Sequence, residues 1–84
     1  MAIGFVQSMI INGVSTATKR EFRKLYKTGI SDPEELFNRI IENPRKDAHL
    51  QSLLKSANIS QELVEVAVRQ TVNHELNLKG VKLA

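Results

Sequence analysis

"SQELVEVAVRQTVNHELNLKG", Ser60 to Gly80, is the stretch on which the fold turns. Val64, Val66 and Val68 alternate as they would along a strand, and valine suits strands. Yet Leu63, Val64, Ala67, Val68, Thr71 and Val72 also recur at helical spacing. Ser60 is a good N-cap, Gly80 is a good closing residue, and residues 61–79 outrun a typical strand. A helix is therefore predicted. Its apolar arc is wide, so the helix belongs either at the centre of a bundle or against a second subunit as well. Val64, Val68 and Val72 are the candidate oligomer interface.

Upstream, "SDPEELFNRII" (31–41) is the clearest helix start in the chain. Asp32 can cap, Pro33 suits the first helical position, and Glu35 follows Asp32 by three. Leu36, Ile40 and Ile41 form the buried side, with Phe37 beside them. "NPRKDAHLQSLLKSAN" (43–58) repeats the device, with Asn43 as cap, Pro44 as opener, and Leu50, Leu53 and Leu54 facing inward. Asn58 suits the left-handed closing position. "STATKREFRKLYKTG" (15–29) reads as a helix that starts at Thr18, with Glu21 at capping-box spacing, or near Ser15, and ends at Gly29.

The two ends are less decided. Ile3, Val6 and Ile10 fall at helical spacing, which favours a helix over residues 2–11. Asn12-Gly13 between apolar residues is also a strong hairpin signal, and Gly13 alternatively closes a helix. The tail "LNLKGVKLA" alternates weakly and is a candidate strand or frayed end. The fold expected is mainly α: a compact bundle of four to five short helices, with a small terminal β-hairpin or strand pair as the open alternative. The 84 residues form one domain, 1–84.

Composition narrows the class. Apolar residues make up 42% and charged residues 25%, as in an ordinary globular domain rather than a disordered chain. There is no cysteine, so disulfides and thiolate metal sites are excluded, and a reducing, cytoplasmic setting is expected. The first 18 residues carry no charge, but polar residues interrupt them and no Lys or Arg precedes them. Neither a signal peptide nor a membrane span fits that pattern.

Catalysis is not expected. His49 and His74 lie on different predicted helices, and the His pair of zinc proteases is missing. No nucleophile has a base at a recognisable spacing, no glycine-rich phosphate loop occurs, and Glu34-Glu35 is explained by the helix dipole. No catalytic residue, metal or cofactor is assigned.

A helix-turn-helix is conceivable over "LLKSANISQELVEVAV" (53–68), with Leu54, Ile59, Val64 and Ala67 packing the two helices. Glu62 and Glu65 would then face phosphates, with only Arg69 to help. The stronger candidate is the helix around "TKREFRKLYKTG" (18–29). Residues 1–30 hold Lys19, Arg20, Arg23, Lys24 and Lys27 against Glu21 alone, a net of +4, whereas the whole chain carries +3. On a helix these cations share an arc of about 140°, while Phe22, Leu25 and Tyr26 fall elsewhere. Like charges so placed repel, and phosphate backbone rewards the arrangement by counterion release.

The function expected is a non-enzymatic, small binding or regulatory protein. It contacts DNA or RNA backbone through Lys19, Arg20, Arg23, Lys24 and Lys27, as a homodimer and away from membranes. The alternative is a protein–protein adaptor, inhibitor or assembly component that uses an apolar helix face. In that case the cations meet an acidic protein surface, the acidic helix that starts at Asp32, or only water.

Overall fold

Four helices follow one another in the computed structural model, which describes residues 4–81: α1 (Phe5–Lys27), α2 (Pro33–Lys46), α3 (Ala48–Ser56) and α4 (Gln61–Leu78). No strand occurs among the described residues, and the terminal hairpin or strand pair is not seen among them. The last residues of the tail, 82–84, and the first three, 1–3, lie outside the described range.

The undecided N-terminal stretch is the first half of one long helix. Asn12-Gly13 does not turn, because Ile10, Ile11 and Val14 pack on the core and the helix gains by running through. Thr18 and Ser15 are not caps but interior residues. The Thr18 hydroxyl donates to the Val14 carbonyl at 2.8 Å, and Thr16 donates to Asn12 at 2.9 Å. A hydroxyl satisfied by its own helix four residues back no longer competes for the backbone. The true start is Gly4, whose N–H donates to Gln7 Oε1 at 3.3 Å. Gln7 Nε2 also donates to the Ala57 carbonyl at 2.6 Å, tying this end of α1 to the α3–α4 turn.

Gly13 has open space beside it: a methyl group there meets nothing within 4 Å. Gly13→Ala is therefore expected to stabilise the fold by about 0.5–1 kcal/mol, through helix propensity alone. Urea denaturation reads this directly, and a loss of stability would mean that the helix is interrupted at this point.

Asn43 and Pro44 are also displaced from their expected role. They sit in the last turns of α2, and Pro44 costs that helix only one late hydrogen bond. Asp47 is the real cap of α3, accepting from the Leu50 N–H at 3.0 Å. Gln51 Nε2 then fastens α3 to the end of α2 through the Pro44 carbonyl at 2.7 Å. Asp47→Ala is expected to cost about 1 kcal/mol in thermal or urea unfolding. An unchanged midpoint would remove Asp47 from the capping role.

The other helix ends follow the sequence signals. Asp32 accepts from the Glu35 N–H at 2.9 Å, and Ser60 from the Leu63 N–H at 3.2 Å. Gly29, Asn58 and Gly80 all have positive φ, at 100°, 57° and 82°. In each case the next residue donates back across the turn: Ile30 to Leu25, Ile59 to Leu54, and Val81 to Leu76, at 3.2, 2.9 and 3.1 Å. These are Schellman closures, in which an apolar residue just past the helix folds back onto its last turns.

The core lies around α4. Val64, Val68 and Leu76 are fully buried, Val72 nearly so, and Ala67 and Thr71 complete the arc. α1 packs most extensively on α4, α2 packs on it as well, and α3 rests mainly on α2. Of the three leucines expected inside α3, Leu54 is buried, Leu50 is half-buried and Leu53 is 39% exposed. Phe22, Leu36, Phe37, Ile40 and Ile41 join the same core from α1 and α2. Surface contacts pin α2 to α4: Arg69 forks onto Glu34 at 2.7 and 3.5 Å and stacks over the Phe37 ring at 4.1 Å, while Arg45 reaches Glu65 at 3.3 Å.

Candidate nucleic-acid interface

α1 is two-sided along its second half. Thr18 and Phe22 are buried, and Leu25 and Tyr26 are half-buried against the core. Phe22 and Tyr26 stack with ring centres 5.4 Å apart, and the burial of Thr18 and Phe22 in the core fixes the rotation of the helix about its axis. Lys79 lies over the Tyr26 ring at 5.5 Å and adds a cation from the end of α4. Tyr26 is thus a packing residue, with Phe22 and Lys79 against its ring rather than a base.

With that rotation fixed, Lys19, Arg20, Arg23, Lys24 and Lys27 are all exposed on the outer side of α1. Lys24 lies 3.5 Å from Glu21, with its side chain 68% exposed, so this pair contributes little. Lys19, Arg20, Arg23 and Lys27 make no ion pair among the described residues.

The acidic helix does not supply the missing partners. Asp32 is occupied as a cap, Glu34 with Arg69, and Glu35 with Arg39 at 3.6 Å. Glu42 holds Arg45 and Lys46 at 3.9 and 3.4 Å. Every carboxylate of α2 is therefore turned toward cations other than those of α1. No family model, curated protein or solved structure matches the chain. The reading of this face rests on its own geometry.

The other candidate residues separate from it. Val64, Val68 and Val72 are in the chain's own core, at 0%, 0% and 1% exposure. They pack inside the bundle rather than on a free surface, so an interface built on them would require the bundle to open. α4 lies at the centre of the bundle, while Leu63, Val66 and Leu78 of the same helix are 39%, 49% and 66% exposed. In the α3–α4 hairpin Leu54, Ile59 and Val64 are buried in the common core, and Glu62 lies exposed. His49 and His74 are exposed, and no cluster of three potential metal ligands occurs among the described residues. No described helix is long and apolar enough to cross a membrane.

The individual residues on the outer face of the first half of α1 were not singled out by the sequence. Phe5, Val6 and Met9 are 79%, 61% and 58% exposed. The signal is present in the uncharged first 18 residues.

Proposed function

We propose that this chain is a non-enzymatic, cytoplasmic binding protein that holds nucleic-acid phosphate backbone on the basic face of α1. The observation that supports this reading is the set of unpaired cations. Lys19, Arg20, Arg23 and Lys27 stand together on one helix face with no ion pair among the described residues, although α2 and its cap offer four acids within the same small domain. Like charges so arranged repel each other by a few tenths of a kcal/mol per pair. A phosphate row removes that repulsion and releases counterions. The face belongs to one continuous helix and carries no free aromatic side chain. Backbone contact without base reading follows from these features.

Titration of labelled duplex and single strand at two salt concentrations tests the proposal. Absence of affinity for either at low salt would sink it. A second reading, assembly through an apolar face, is favoured by the exposure of Phe5, Val6 and Met9 on the same helix.

A further inference from the structure

The outer side of α1 changes character halfway along. From Lys19 onward it is cationic; from Phe5 to Ala17 it is uncharged and partly apolar. The uncharged half borders an open groove of about 410 Å³, lined on the α1 side by Met9, Gly13 and Ala17 and on the other by Asp47, His49, Leu50 and Leu53. Exposed large side chains beside a groove of this kind mark a contact surface.

We infer that the occupant of this surface is a second copy of the chain, packed antiparallel along α1. Phe5, Met9, Gly13 and Ala17 form a single row four residues apart, large at one end and small at the other. Let a two-fold axis pass midway between residues 9 and 13. Phe5 then lies over the partner's Ala17, and Met9 lies over the partner's Gly13, where nothing stands within 4 Å of an added methyl. The reciprocal contacts follow by symmetry, as an isologous interface demands. The same row thus supplies both the projections and the spaces, in reverse order. Residues 4–18 carry no charge, so the α1 row itself does not repel a copy of the chain, while Asp47 and His49 stand across the groove on the α3 side.

In this register the described residues of the partner helix, from Phe5 on, face residues up to Ala17, and Arg20, Arg23, Lys24 and Lys27 lie past that stretch. Rows of this kind cross at about 50°, and a helix rises about 1.5 Å per residue. The two Arg23 positions then stand about 33 Å apart, close to the roughly 34–36 Å of one turn of B-form DNA. Resting on the backbone-binding reading, the dimer presents two basic patches spaced to meet one face of a duplex.

The test uses the full chain. Sedimentation over a range of concentrations is expected to show a monomer–dimer equilibrium. Gly13→Leu, whose Cβ meets nothing within 4 Å and whose remaining atoms extend into the open groove, is expected to leave a folded monomer with a Tm no lower than that of the wild type. The natural chain has no cysteine, so register is read by mixing Phe5→Cys with Ala17→Cys under mild oxidation. The mixed disulfide should form, and neither variant should cross-link by itself, because each like pair would be about 18 Å apart along the helix. A chain that stays monomeric at high concentration overturns the proposal, as does cross-linking of like pairs. So does uptake of an apolar amphipathic peptide by a monomer. Two further results separate this inference from the reading beneath it. R20E/R23E should dimerise like the wild type. A dimer of the stated register that binds no duplex at low salt would defeat the backbone reading and leave the assembly standing. If both hold, lengthening the duplex from about 10 to about 20 base pairs should strengthen wild-type binding steeply and G13L binding only slightly.

Discussion

Duplex affinity of the wild-type chain is expected to fall about 150-fold between about 50 and 200 mM salt, and the double reversal Arg20→Glu with Arg23→Glu is expected to abolish it. The first figure follows from four unpaired cations per chain. Each phosphate neutralised contributes about 0.9 to the slope of log affinity against log salt, and four contribute about 3.6. A fourfold rise in salt raised to that power gives the loss. For the variant, each counterion released at about 50 mM is worth about 1.5 kcal/mol, so two lost contacts weaken binding at least about 100-fold. The new repulsion adds to this. The fold should not suffer, because neither arginine has an ion-pair partner among the described residues. The reversed charges at positions 20 and 23 stand four residues before Lys24 and Lys27, so the variant even gains two favourable helix pairs. Circular dichroism and Tm are therefore expected to match the wild type while binding disappears. A salt slope near zero would show that the cations serve only solvation. A variant that binds as well as the wild type would place the anion site elsewhere.

The helical fold was legible in the sequence wherever a turn needs a particular backbone angle. Gly29, Asn58 and Gly80 were each readable as closing residues, and all three adopt positive φ. Asp32 and Ser60 were readable as caps because an oxygen three residues before a free N–H has one obvious use. The misreadings share a cause. Thr18, Ser15 and Asn43 have side chains that suit a helix start, but α1 and α2 had already begun. Whether such a residue caps or bonds back to its own helix depends on what the preceding turns bury. That is a tertiary fact: Ile10, Ile11 and Val14 hold α1 together past Gly13, and Ile40 and Ile41 hold α2 together up to Pro44. The basic face was legible to the residue, because helical spacing alone separates it from Phe22. Its lack of partners was not legible. Only packing decides that Glu34 meets Arg69 and that Glu42 turns toward Arg45 and Lys46.

Phe22→Ala is expected to be the most damaging single truncation on α1, costing about 3–5 kcal/mol. Phe22 is fully buried, packs into the common core with α2 and α4, and stacks on Tyr26 at 5.4 Å. At about 0.05–0.15 kcal/mol per residue, a domain of 84 residues has about 4–13 kcal/mol in total. The substitution therefore removes about a quarter or more of the stability. In a domain of this size about 1 kcal/mol moves Tm by about 4–8 °C, so a fall of about 15–30 °C is expected. Its neighbour supplies the control. Arg23→Ala, one position along and on the outer side of the helix, should change stability by less than about 0.5 kcal/mol while weakening duplex binding. The contrast between adjacent residues is what separates a docked amphipathic helix from a loosely attached basic arm. An arm would tolerate the loss of Phe22 and would bind anions equally well without it. In the bundle, the burial of Thr18 and Phe22 sets the rotation that holds Arg20, Arg23 and Lys27 in a row, so Phe22→Ala should also weaken binding at temperatures where the variant is still helical. A Phe22→Ala protein with a Tm within a few degrees of the wild type would mean that α1 is not held on α4 in this way. The geometry assigned to the cations would then lose its support.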